Sequence, residues 1–400
     1  MTDDADGVGT MNCSHAFQCM NRHANQNKSI GALGLFRVSF DAVFLCLVSV
    51  VACGFNKLFH KKTAIALSVS KKEKLIIRAE VPDAALVFSG RVHKISGKSV
   101  RLGGIFSGAI SHLLKLAIES GSYVYVKGCA DREWGLSIPA HPHFRRIEVS
   151  IWGASATNAK ANFFSYVSDA KGIYYDGRVE TELEVILNSL TSKSWRDCEL
   201  TKRFILNQKE AGIQKYPEVD GFLDTVPQDD AILIVGQVSG DASTLHTETL
   251  AHGNYELAKL GRELFPEKPL YYKPHPYERE NGETRRILQD FDISLVPANA
   301  SFESAAKRFD AVLVNTSGAG LEAAMLGCKV YTAGTSFYSH WGFTQDCIQP
   351  HPRRHNKLSP EDVYSAFVCR YAKFLTFDEN TNTAKSISFR QFFELQERVK

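Results

Sequence analysis

One carboxylate, one lysine, one histidine and a pair of hydroxyls stand in three short loops of this 400-residue chain, each directly after an apolar run. The first loop offers Gln237, Asp241 and Ser243. Asp241 lies between Gly240 and Ala242, small neighbours that leave a carboxylate open to an electrophile. Asp241 and Ser243 also suit the cap of the next helix, and at this point both readings stand. The second loop offers Lys273 and His275, stiffened by Pro274 and Pro276 through their fixed φ. The third offers Thr316 and Ser317, with Gly318 and Gly320 leaving backbone N–H groups open. Hydroxyls and bare N–H groups at a helix start suit a phosphate, and a nearby Lys and His suit one that departs with negative charge. Singly, His275 reads as a structural loop histidine and Thr316–Ser317 as a cap. Together at one edge they read as a nucleotide-phosphate site.

Strands must bring those loops together. Ala231–Val235 is a continuous apolar run ended by Gly236, the pattern of a strand buried on both faces. Pro269–Lys273, Ile293–Val296, Ala311–Val314 and Lys329–Thr332 also read as strands. Helices are predicted around Leu250–Leu264, Ser301–Lys307 and Leu321–Leu326. This alternation predicts a doubly wound parallel sheet with its polar loops converging at the carboxyl edge. Upstream, Ala84–Phe88, a helical pattern from Ile105 to Ala117 and Tyr123–Val126 form a second βαβ unit. Ile173–Tyr175 is predicted as a strand, and Glu180–Leu190 and Leu200–Gly212 as helices. The expected fold is α/β, with two Rossmann-type doubly wound domains facing a cleft. The expected boundaries are a disordered start at 1–30, domains at 31–222 and 228–378 joined by a turn-rich linker at Tyr216–Pro227, and a C-terminal helix within 379–400. Phe389, Phe392, Phe393 and Leu395 give that helix an apolar face.

Lys and Arg number 47 against 44 Asp and Glu, a net charge of +3 that permits anionic partners without demanding nucleic acid. Nine cysteines with no CxxC pair read as reduced thiols, neither a disulfide framework nor a zinc site. Asp290-Phe-Asp292 has the spacing of a metal-binding DxD but reads as a turn after a helix, so no metal is expected. His141–Arg146 is a basic, aromatic loop, readable as a solvated turn or as an acceptor or anion contact. The N-terminus lacks the residue order of a signal peptide. The apolar run Ala42–Phe55 is shorter than the ~20 residues of a membrane span. It reads first as a core element, second as an interfacial membrane contact and third as a span. Lys57, His60, Lys61 and Lys62 keep the membrane-surface reading open.

Four stretches in order, Gly236–Ser243 (GQVSGDAS), Tyr272–Pro276 (YKPHP), Thr316–Ser317 with Gly320–Ala323 (GLEA), and Phe337–Thr344 (FYSHWGFT), resemble the bacterial capsule polysaccharide β-Kdo transferases. The resemblance covers about Ile173 to Phe377. It implies a GT-B glycosyltransferase that moves Kdo from CMP-Kdo to a lipid-linked glycan with retention of configuration, cytoplasmic and peripheral on the inner membrane. It makes 31–222 the acceptor domain and 228–378 the nucleotide-sugar domain. It implies Asp241 as nucleophile, and Lys273, His275, Pro276, Thr316, Ser317 and Gly318 around the cytidylate phosphate. Glu322 would contact the ribose or cap. Gln237 and Ser243 would contact substrate, and Tyr338 and Trp341 would wall the sugar or base or else be core aromatics. No cofactor is implied. A CMP-sialic acid-dependent transferase and a non-catalytic polysaccharide export or binding component remain alternatives.

Overall fold

The computed structural model describes residues 62–88, 104–150, 162–211, 230–276, 278, 282–296, 300–378 and 380–399. The expected disordered start, the apolar run 42–55 and the linker 216–227 lie outside them.

The first sheet contains β1 (Thr63–Leu67), β2 (Ala85–Phe88), β3 (Tyr123–Lys127), β4 (Phe144–Val149) and β5 (Phe163–Asp169). The second contains β6 (Ile232–Val235), β7 (Leu270–Lys273), β8 (Ser294–Leu295), β9 (Ala311–Val314), β10 (Lys329–Thr332) and β11 (Gln345–Asp346). The chain then returns to the first sheet through β12 (Lys373–Asp378) and β13 (Thr383–Ile387).

The second sheet runs β8-β7-β6-β9-β10-β11 with every pair parallel. Numbered within the unit, that is 3-2-1-4-5-6, the order of a dinucleotide-binding Rossmann sheet. Its direction of growth reverses between β6 and β9, which opens a crevice at their carboxyl ends. Every residue of β6 and of β9 is buried, as the apolar runs require.

The first sheet runs β2-β1-β3-β4-β5-β12-β13. Its β2-β1-β3-β4 part is parallel, and β5, β12 and β13 each pair antiparallel. Both units are Rossmann-like α/β layers, but the first departs from double winding along one edge. Residues 373–378 lie in the first sheet rather than at the end of the second unit, and a strand precedes the C-terminal helix Phe389–Val399. The expected strand at Ile173–Tyr175 is a turn instead, with Asp176 N–H bonded back to the Ile173 carbonyl. The strand of that region is β5, FFSYVSD, buried at all seven positions.

One aromatic cluster joins the two units, taking Phe163 from β5, Tyr174, Phe337, Trp341, Tyr364 and, from β12, Phe374. The crossing-back segment therefore shares a core with the second unit's polar edge. Among the described residues no helix is long and apolar enough to cross a membrane.

Candidate active site

The loops after β6, β7 and β9 meet in a cavity of about 280 Å³ at the reversal point of the second sheet. Asp241, Ser243, His275, Thr316, Ser317 and Gly318 line it from that side, with Gln237 beneath. Thr335, Ser336 and Phe337, after β10, complete that wall. The facing wall comes from the first unit: Glu148 and Val149 at the end of β4, and Tyr174 and Tyr175 from the turn after β5.

Glycine geometry shapes both ends of this loop cluster. Gly240 sits at φ +69, a left-handed turn that presents Asp241 at the mouth. Gly320 lies against Tyr338, whose hydroxyl would clash with any added Cβ. The Tyr338 ring can therefore slide under the helix Ala319–Met325 and donate its hydroxyl to the Ser317 carbonyl.

Asp241 does cap. Its Oδ1 accepts from Ser243 N–H at 2.8 Å and from Ser243 Oγ at 2.7 Å. Its other oxygen has no hydrogen-bond partner among the described residues, and Asp241 is one of the residues that line the cavity. Capping thus occupies one oxygen of this carboxylate. Gln237 ties the first and third loops together, donating through Nε2 to Ser243 Oγ at 2.7 Å and to Thr316 Oγ1 at 3.1 Å. Ser243 Oγ and Thr316 Oγ1 are 2.8 Å apart. Gln237 is held in turn by Asn254, which accepts from its N–H and donates to its carbonyl.

Across the cavity, Tyr174 and Tyr175 pack edge to face at 5.1 Å. Burial, then the Glu148 carboxylate, with Asp241 adding to both, push the two phenols well above their ordinary range. Glu148 and Asp241 therefore act on the same tyrosine pair from opposite walls.

Several expected contacts lie elsewhere. Lys273 is 3% exposed and donates from Nζ to the Ala300 carbonyl at 3.0 Å, so it braces the sheet edge behind the cavity instead of lining it. Tyr338 and Trp341 are fully buried core aromatics, and Trp341 Nε1 donates to the Phe337 carbonyl. Of this stretch, only Phe337 reaches the cavity. Glu322 is 9% exposed within its helix and, like Pro276, is not part of the cavity wall. Asp290 accepts from Tyr255 Oη, and Phe291–Asp292 form the expected turn. Among the described residues no group of three or more His, Cys, Asp or Glu is arranged to hold a metal ion.

Residues passed over in the sequence hold the walls in register. Arg354, buried, donates from Nε to Glu184 Oε1 at 3.0 Å and from Nη1 to the Ser336 and Ser339 carbonyls. Arg353 donates to Glu184 and to the Gly177 and Val179 carbonyls. Their signal in the sequence is a basic pair after His351-Pro352, a dipeptide that follows no buried strand.

Residues 224–378 match the family described as capsule polysaccharide biosynthesis protein. The chain is 28% identical over 218 residues to the lipopolysaccharide-processing protein LpsZ of Rhizobium meliloti, covering 52% of this chain and 49% of LpsZ. It is 28% identical over 236 residues to the capsule polysaccharide modification protein LipA of Neisseria meningitidis serogroup B, covering 57% of this chain and 33% of LipA. It thus spans half or less of the length of these relatives. In fold it is similar to the β-Kdo 2,7 transferase of Thermosulfurimonas dismutans KpsC, with a TM-score of 0.62 at 23% identity, over 84% of this chain and all of that one. The family match is confined to residues 224–378, which contain the three polar loops of the cleft, while the likeness in fold extends over most of the chain.

Proposed function

We propose that the chain is a retaining β-Kdo transferase of GT-B type, using CMP-Kdo as donor and a lipid-linked glycan as acceptor. The observation that carries this reading is the place of Asp241: one oxygen holds its own loop, the other has no hydrogen-bond partner among the described residues, and the residue lines a two-walled cavity beside the Thr316–Ser317 loop. The free oxygen attacks the anomeric carbon of Kdo, and the bond from that carbon to the phosphate breaks. CMP leaves with the bonding electron pair, its charge met by His275, by the Thr316 and Ser317 hydroxyls and by N–H groups around Gly318. An acceptor hydroxyl then attacks the same carbon and displaces Asp241. Glu148, on the facing wall, takes its proton. Two inversions give retention.

Intact-mass analysis with CMP-Kdo and no acceptor tests this. The expected result is one added Kdo, mapped to the peptide around Asp241. The same experiment with CMP-sialic acid decides the donor, and an adduct from that sugar alone would replace Kdo in the scheme. Binding of CMP with no adduct and no transfer from either donor would leave a non-catalytic glycan-binding component. Full activity is expected to survive EDTA, since side chains and N–H groups suffice to meet the phosphate's charge. Activity restored only by added Mg²⁺ or Mn²⁺ would overturn the metal-free scheme.

A further inference from the structure

A second cavity, of about 360 Å³, lies on the first sheet and shares no residue with the cleft. Tyr123 and Tyr125 of β3, Arg145 of β4, Tyr166 of β5 and Lys373 of β12 line it. Register explains their convergence: Tyr125 pairs with Arg145, and Tyr166 pairs with Lys373. Arg145 precedes Glu148 by three residues, so roughly 10 Å of strand separates this cavity from the cleft's wall.

Glu80, at the end of the helix Lys71–Glu80, organises its floor. The carboxylate accepts from Lys373 Nζ at 2.7 Å and from Ser168 Oγ at 3.1 Å, and the Tyr125 and Tyr166 phenols also hydrogen-bond to it. A carboxylate with four donors is satisfied, so it sets no trap for a cation. Arg145 is fixed by donating from Nε to Ser168 Oγ at 3.0 Å, from Nη2 to the Ser168 carbonyl at 2.6 Å and from Nη1 to Glu182. Both cations therefore stand in fixed positions with N–H groups unspent among the described residues. The Tyr123 ring lies 4.4 Å from the His143 ring at the start of β4 and offers a flat apolar surface at the same opening.

From this arrangement we infer that the cavity is a second glycan site, taking a sugar that bears a carboxylate. Arg145 and Lys373 donate to the carboxylate, the phenols and Ser386 meet hydroxyls, and Tyr123 covers an apolar sugar face. The proposal concerns binding alone and stands apart from the transfer chemistry. It joins the basic stretch His141–Arg146 to a ligand through Arg145.

The test is titration of CMP-saturated protein with free Kdo, and with glucose as an uncharged control. Saturable Kdo binding is expected in wild type and in Asp241→Asn, weakened at least about tenfold in Lys373→Met, with glucose binding weaker throughout. Thermal melting checks that Lys373→Met folds. If it does not, Tyr123→Ser, which lies outside the Glu80 network, carries the same expected loss. No saturable binding to wild type, unchanged affinity in the folded cavity variant, or loss only in Asp241→Asn would overturn the proposal. Because the readout is binding, and its loss is read at Lys373 or Tyr123 outside the cleft, failure here is distinct from failure of the transferase reading.

Discussion

The cleft wall after β6, β7 and β9 is made of loop residues that follow short strands, two of them (β6 and β9) apolar throughout, whereas the facing wall is made of Glu148, Tyr174 and Tyr175, set among buried polar groups. The first wall takes its position from topology. A parallel sheet whose order reverses between β6 and β9 places its polar loops side by side, and the Gln237 bonds then link loops that already adjoin. The second wall depends on specific bonds. Asp169, buried at the end of β5, accepts from the backbone N–H groups of Lys171, Gly172 and Glu182 and from Tyr371 Oη, and so shapes the turn that carries Tyr174 and Tyr175. A wall set by topology tolerates change outside its loops, while a wall set by buried bonds does not.

The largest effect expected from this difference is at Asp241. Asp241→Asn keeps an oxygen that can accept from Ser243, so fold and CMP binding should be retained. Glycosyl transfer should fall by several orders of magnitude, with no Kdo adduct. Robust turnover by this variant would reduce Asp241 to its capping role. Glu148→Gln should be next, slowing transfer to acceptor ~100- to 10,000-fold while the adduct still forms from donor alone. Loss of the adduct as well would move Glu148 from the acceptor's proton to the first step and blur the distinction between the walls.

The same contrast governs what is legible in the sequence. Ala231–Val235 and Ala311–Val314 are apolar throughout, so their strands and the polar loops beyond them can be read directly. β5 is as deeply buried, yet Ser165, Ser168 and Asp169 interrupt its apolar pattern. Their burial is offset by hydrogen bonds that no local spacing reveals, and the strand passes for loop. Burial also raises the Asp169 pKa above its ordinary value, a mark of how far that carboxylate is from water. Lys273 fails in the other direction. A lysine beside a Pro-stiffened histidine suggests an anion site, but its strand position turns it into the sheet, where the Ala300 carbonyl accepts its hydrogen bond. Arg353 and Arg354 show the same limit, because Glu184 lies some 170 residues upstream.

His275 and Lys273 make a sharp pair for testing the topological wall. His275 lines the cavity, so His275→Ala should weaken CMP binding ~10- to 100-fold, the worth of one charge-assisted hydrogen bond. Lys273→Met should leave CMP affinity near wild type in whatever fraction folds, and lower the melting temperature instead. The reverse pattern would mean that the phosphate is met from the β7 strand end and not from its loop.

The smallest effect expected is a pH dependence confined to the bonds joining the walls. His351 sits beside Arg353 and Arg354, with Glu184 and the ring of His340 also facing it, and its Nε2 lies 3.4 Å from the Gly177 carbonyl. Burial, reinforced by the Arg354 guanidinium, lowers its pKa from an ordinary value near 6.5 to about 4. His340 shifts in the same direction, again through burial first. The unfolded chain therefore takes up a proton near pH 6.5 that the folded chain refuses until about pH 4. Since stability falls wherever the unfolded state binds more protons, it should decline as pH drops through that window and be unaffected above it. The comparison to make is melting temperature against pH for wild type and His351→Gln. The variant should melt with a shallower dependence between neutral pH and about pH 4, and the two curves should run parallel above neutrality. Equal slopes throughout would remove His351 from the acid sensitivity of the joint. A slope that flattens only when His340 is also replaced would make the two imidazoles one unit, bonded to both walls and protonated together.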